Sequence, residues 1–330
     1  MTWFETLTGF KASSAQNVHL NIQHSGPTLL SLPNNRTMQA GQFLTPSLAK
    51  LRSAFDHSRL GLGCIDVDEM VADVKALHQD PTNENAVFQV ASQFNCLEMA
   101  SPGITPEAGV GIYQNDPTQG PACSISAGAG TIFRNYFADV NGHIGQSKKN
   151  QIDGLAEIGV HFDNSVNGLW RMQNGYCFPY QEGLAKIESQ LSACSETQLD
   201  QIRKKLRVGV QQDTEITLGQ SNHLVTQVFC SALPVAYSDI PANQWDLFPR
   251  LILDATYEAT FLVALQNLHR TGCNKLYLTL VGGGVFGNQP QWIFSAIARA
   301  LKLFAASELS VKIVSFGSSN GKVQRFFASL

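Results

Sequence analysis

Apolar positions along the chain fall into two kinds of run, and their alternation predicts the architecture. Short apolar-rich runs at 86–91, 225–233, 276–281 and 311–316 read as strands, the first of them buried and the third fully buried. A long apolar stretch from about 245 or 251 to 269, ended by Thr271-Gly272, reads as a helix before the third of these runs. A glycine loop and an amphipathic stretch over about 290–305 separate the last two. Strand, loop, helix and strand in that order form a parallel βαβ unit, so the chain is of the α/β class.

Further helices are expected over 47–55, with Thr45 as cap and Pro46 at the first helical position, and as a polar amphipathic helix or pair over 184–206. Another is expected over 66–77, from the spacing of Val67, Met70, Val71, Val74 and Leu77. Between 95 and 130 the periodicity gives way to Gly, Pro, Ser, Thr and Ala. A loop of that length inside a domain is uncommon unless it carries function. Neither an internal repeat nor a low-complexity linker appears, so one composite domain is expected. Its main part would span 81–330 with an insertion at about 140–210, and residues 1–80 would form an extension packed on that core.

Composition narrows the class. Hydrophobic residues make up 44% of the 330, the ordinary value for a globular chain, and no apolar run approaches the roughly 18–20 residues that span a bilayer. The net charge of −3 gives no electrostatic case for nucleic acid, and the basic cluster Arg203, Lys204, Lys205 and Arg207 reads as the exposed side of a helix. Seven scattered cysteines without a C-x-x-C pair read as reduced, mostly buried thiols. Neither a zinc spacing nor any other metal or cofactor signature is visible. Met1-Thr2-Trp3-Phe4-Glu5 lacks a basic region followed by an apolar one, so the expected location is the cytoplasm, or a host cell reached without a Sec signal.

The candidate chemistry lies in two loops. Gly282-Gly283-Gly284-Val285-Phe286-Gly287 joins a buried strand to a helix, so its backbone can approach a ligand closely. The helix behind it is expected to offer unpaired N–H groups to an anion such as a phosphate. The same residues satisfy G-x-G-x-x-G, but a dinucleotide-binding domain opens on that motif and continues with several βα units, for which the 43 residues after Gly287 leave no room. The second loop carries Glu98, Glu107 and Asp116, carboxylates suited to acid–base work or to the oxocarbenium-like centre of glycosidic cleavage. Beyond it, Ser124 to Thr131 is a small-residue segment suited either to close approach of a ligand or to close helix packing. Arg134 is placed to pair with a carboxylate or phosphate. Trp170, Tyr176, Phe178 and Tyr180 are candidates for stacking on a base or for ordinary core, and Asp254 and Glu258 share one face of the long helix, read as solvated unless that helix packs beside the pocket and presents one inward.

Two segments together resemble the macrodomain superfamily of ADP-ribose binders and hydrolases, which includes poly(ADP-ribose) glycohydrolases. One is Phe88 to Asn95, a strand ending in Asn before a long loop; the other is Leu278 to Asn288, with its glycine, aliphatic, aromatic, glycine order. The resemblance implies a mixed central sheet flanked by helices, with an N-terminal helical extension and a middle insertion. It implies ADP-ribose, free or on a protein, as the partner. Asn95 would hold the proximal ribose, and Gly282, Gly283, Gly284, Val285, Phe286, Gly287 and Asn288 the pyrophosphate and distal ribose. Ordinary macrodomains carry glycines soon after the Asn, where this chain has Cys96-Leu97-Glu98-Met99. It is closer to a divergent branch, found partly among bacterial effector proteins, that uses acidic residues to remove ADP-ribose from arginine. On that resemblance Asp116, Glu107 and Glu98 are the catalytic candidates of a mono-ADP-ribosyl hydrolase. A non-catalytic reader of ADP-ribose and a hydrolase of another ADP-ribose derivative are the alternatives.

Overall fold

The β-branched and aromatic runs form the centre of a seven-stranded sheet in the computed structural model, which describes residues 1–56, 63–219 and 221–329. In chain order its strands are β1 (Gln42–Leu44), β2 (Asp66–Val71), β3 (Val87–Ala91), β4 (Gly209–Glu215), β5 (Leu224–Cys230), β6 (Lys275–Leu278) and β7 (Ser310–Ser315). Across the sheet they lie in the order β1-β4-β5-β3-β6-β7-β2. The block β5-β3-β6-β7-β2 is parallel throughout, and β4 runs antiparallel to both of its neighbours. Hence the sheet is mixed, as expected. β3 is flanked on both sides, with Val87 pairing to Thr226 and to Leu276, and is buried from Val87 to Val90.

Helices pack on both faces. The longest is α3 (Leu247–Thr271), which ends where Gly272 takes a left-handed φ of 79° and its amide reaches Leu268 O. The others that matter for the site are α1 (Gln119–Ser126), α2 (Gly128–Tyr136) and α4 (Pro290–Leu303). The segment from Ser124 to Thr131 is thus helical. A Cβ on Gly130 would stand 2.7 Å from Thr214 Oγ1, so its small residues serve close packing of helix against sheet.

Three expectations change. The stretch 66–77 divides into the edge strand β2 and a helix, Val74–Gln79, capped by Asp73. Its apolar residues mimic a helical period, but Asp66 and Asp68 alternate onto one face, where Lys312 of β7 bonds both at 3.0 and 2.9 Å. Residues 1–80 hold helices and a three-stranded antiparallel sheet, yet they also supply β1 and β2, the two opposite edges of the central sheet. Position 80 is therefore no boundary in the fold. Finally, Asp254 and Glu258 do not form a solvated face, and Arg203 is not exposed. Glu258 is 5% exposed and bonds Arg52 and Arg299, each at 2.6 Å; Arg52 also holds Asp200, and Arg203 bridges Glu196 to Asp254.

Removing the centre of such a network leaves two guanidinium groups short of a partner. Glu258→Gln should lower stability by about 2 kcal/mol, discounted from a fully buried pair because both arginines are about a quarter exposed. Urea denaturation of the variant against the parent chain measures this.

Candidate active site

Where parallel strands end, their last backbone groups lack ladder partners, and α/β proteins place ligands there. A cavity of about 240 Å³ opens at the carboxyl ends of β3, β5 and β6. Its walls come from residues 91–93, 98–100, 116, 118–121, 279–282 and 284–286, with Ala232, Tyr176 and Tyr237.

The glycine loop forms one wall. Strand β6 stops at Leu278, earlier than its apolar run, because the Tyr257 hydroxyl of α3 donates to Thr279 O and accepts from the Val281 amide. Gly282 then takes a φ of 75°, with Ala232 Cβ 2.5 Å from where its own Cβ would stand. Asn288 closes the loop: its Nδ2 donates to Leu233 O at 2.8 Å and its amide to Gly282 O. Among the described residues, the amides of Gly284, Val285 and Phe286 donate to no protein acceptor, and all three residues line the cavity. A run of free amides of this kind accepts an anion. Gly282 lines the cavity too, whereas Gly283, Gly287 and Asn288 shape the loop from behind. The anion contact expected from the helix after the loop is not formed. α4 begins only at Pro290, and its first turn takes no part in the cavity wall.

The acidic loop divides. Glu98 and Asp116 line the cavity and Glu107 does not; Glu107 is exposed, and its carboxylate accepts the Lys148 amide at 2.8 Å. Asp116 is half-buried and accepts from the Thr118 amide and hydroxyl at 2.9 and 2.6 Å. Glu98 is 3% exposed. Burial pushes its carboxyl up to about 8, against the opposing pull of Arg134, while the charge of Asp116 adds to the rise. Space for it exists only because residue 120 is glycine: a Cβ there would overlap Ala91 O and Glu98 Oε2.

Arg134 stands behind this carboxyl without touching it. Fully buried, it lies 3.6 Å over the Phe229 ring and donates to Cys96 O, to Thr131 Oγ1 and, at 3.2 Å, to Ser124 Oγ. Ser124 in turn donates to Glu98 Oε1 at 3.5 Å, so a hydroxyl relays the guanidinium to the acid. Asn95 does not reach the cavity. Its Nδ2 donates to Gln151 and its Oδ1 accepts the Leu97 amide, which consumes the side chain in shaping the turn after β3.

Further residues complete the site. Gln119 ties α1 to the end of β3, donating to Gln89 O and accepting the Ala91 amide. The Tyr113 hydroxyl accepts the Glu98 amide, and the 3-10 turn that carries it is held by Trp3, whose indole donates to Val110 O. Tyr176, Tyr237 and Phe286 pack with ring centroids 5.4 to 5.7 Å apart as an aromatic flank of the cavity. Tyr176 is mostly core, its hydroxyl donating to Met99 O, with one edge on the cavity. Nothing in residue type or spacing distinguishes Gln119, Tyr113 or Tyr237 before the chain is folded.

Two glycines should respond oppositely to a methyl group. Gly120→Ala should cost about 1–3 kcal/mol by overpacking. Gly284→Ala, with nothing within 4 Å of its Cβ position, should change stability by less than about 0.5 kcal/mol yet weaken pyrophosphate binding. Thermal unfolding with and without pyrophosphate separates the two. A second expectation concerns pH. The folded state holds the Glu98 proton up to about 8, whereas the unfolded chain releases it near 4.5. Stability from this group is therefore present at low pH and lost as pH rises through that window. Glu98→Gln should remove this part of the decline when urea midpoints are compared from about pH 5 to about pH 9.

Neither a family model nor a curated protein matches the sequence. Among solved structures, the chain is similar to poly(ADP-ribose) glycohydrolase from Thermomonospora curvata, at 12% identity over 96% of each chain with a TM-score of 0.46. It is also similar to poly(ADP-ribose) glycohydrolase from Deinococcus radiodurans in complex with ADP-ribose, at 12% identity over 88% of this chain and 94% of that one, with a TM-score of 0.45.

Proposed function

We propose that this cavity binds ADP-ribose and that the protein hydrolyses its glycosidic link to a protein side chain, releasing mono-ADP-ribose, with arginine the favoured linkage. The observation that carries the reading is one cavity with an acid held neutral by burial on one wall and free amides on the other. Those amides, at Gly284, Val285 and Phe286, suit a pyrophosphate. The ribose beyond it then lies toward Glu98 and Asp116.

Cleavage needs a proton for the leaving nitrogen and a base for the attacking water. Glu98, protonated near neutrality, supplies the first. As the C–N bond breaks, its electron pair goes to the guanidino nitrogen, which takes the Glu98 proton. Water bonds to the anomeric carbon and gives a proton to Asp116. Amides and carboxyls of this chain account for each of these steps. The sequence resemblance to ADP-ribose hydrolases supports the same assignment. A binding-only reader is the second reading, favoured by the engagement of Asp116 with both Thr118 donors.

Calorimetry with ADP-ribose, NAD and AMP is the first test. Preference for ADP-ribose is expected; no binding, or equal preference for NAD, overturns the proposal. Release from arginine-, glutamate- and serine-linked substrates then separates enzyme from reader. Glu98→Gln and Asp116→Asn should each lower turnover by about 100-fold or more while binding of ADP-ribose stays within a few-fold. Turnover should also fall as pH rises through about 8, where Glu98 loses its proton. Full turnover in either variant removes that residue from the mechanism.

A further inference from the structure

A second depression lies against the first. It has a volume of about 620 Å³ and is bounded by Gly103 and Thr105 on one side and by the turn at Asn174-Gly175 on the other. The two cavities share a partition. Met99, Ala100 and Tyr176 face the first, and Gly103, Thr105 and Gly175 face the second. That partition is firm: Nδ2 of Asn174 and Nε2 of Gln173 both donate to Pro102 O, and the Tyr176 hydroxyl donates to Met99 O.

Charge sets this depression apart. Lys148, Lys149 and Arg171 line it, are exposed, and make no ion pair with any described carboxylate. Three unpaired cations on one surface stand out on a chain of net charge −3. Two carboxylates lie nearby. Asp153 lines the depression but is half-buried and accepts the Leu155 amide, and Glu107 accepts the Lys148 amide and feels the Lys148 charge without forming an ion pair with it. No aromatic residue lines it, so a nucleotide base finds no stacking platform there.

We infer that this groove is the docking surface for an acidic segment of the protein whose side chain carries the ADP-ribose. The inference rests on the reading given under Proposed function. With the pyrophosphate on the glycine loop, the group leaving the anomeric carbon departs past Glu98 toward the partition, and the chain attached to it continues into the cationic groove. Carboxylates flanking the modified residue then meet Lys148, Lys149 and Arg171. This contact recruits the substrate and takes no part in the chemistry.

The test uses the full chain with Lys148, Lys149 and Arg171 all changed to Ala. Two ADP-ribosylated arginine peptides serve as substrates, one with acidic flanks and one with neutral flanks, beside free ADP-ribosyl-arginine. Wild type should show a KM for the acidic peptide about tenfold below that for the neutral one, and the triple variant should lose this difference. Turnover of free ADP-ribosyl-arginine and calorimetric affinity for ADP-ribose should be the same in both. Equal KM values for the two peptides in wild type overturn the inference. So does a loss in the variant that appears only with an oligomer of ADP-ribose, because the groove would then hold the polymer. Fluorescence anisotropy with the unmodified acidic peptide at low salt tests the groove apart from the reaction. Binding there by wild type, weakened in the variant, supports the groove even if ADP-ribose fails to bind. Absence of binding with intact hydrolysis sinks the groove alone.

Discussion

A single buried arginine organises the acidic wall of the cavity. Arg134 comes from α2, yet its guanidinium reaches the turn after β3 through Cys96 O, α1 through Ser124 and the ring of Phe229 on β5. A charge so deeply enclosed is costly, and burial draws its guanidinium down to about 10. It is tolerated because Nε and Nη2 donate to three fixed acceptors and its face lies on an aromatic ring, while Nη1 is left buried without a hydrogen-bond partner among the described residues. In return it fixes four elements against one another at the place where Glu98 enters the cavity. The glycine loop needs an anchor of its own, and Tyr257 provides it from α3 by ending β6 where the loop must begin.

How much of this was legible in the sequence follows from what each segment must satisfy. Strands β3, β5 and β6 are buried along nearly their whole length and β7 on one face, so their apolar runs announce them. The helix α3 is long and ends on a glycine, which fixes its C-terminus to within two residues. Strand β2 was hidden, because an edge strand pays little for exposing Asp66 and Asp68 and its apolar residues fall at helical intervals by coincidence. β1, only three residues long, carries no period at all.

The site was legible in outline and illegible in detail. Glycines at 282, 284 and 287 point to a ligand loop, and the structure keeps Gly282, Gly284, Val285 and Phe286 at the cavity. Equal spacing of Glu98, Glu107 and Asp116 along the loop says nothing of which carboxyls meet. That depends on the 3-10 turns between them, which bury one, expose the next and bring back the third. Asn95 shows the converse. A residue type suited to a ribose hydroxyl is consumed by its own turn, and only the folded backbone reveals it. The N-terminal helix (Trp3–Thr8) belongs to the same lesson, because it braces the acidic loop from more than a hundred residues away.

The Ser124 relay also gives the acid a handedness. A hydroxyl that accepts from Arg134 has its own hydrogen left for Glu98, and it delivers that hydrogen to Oε1. The other oxygen, Oε2, lies beside Gly120, where a Cβ would overlap it. The two oxygens of this carboxyl therefore stand in different surroundings, one against a hydroxyl and the other against a backbone that only glycine leaves open.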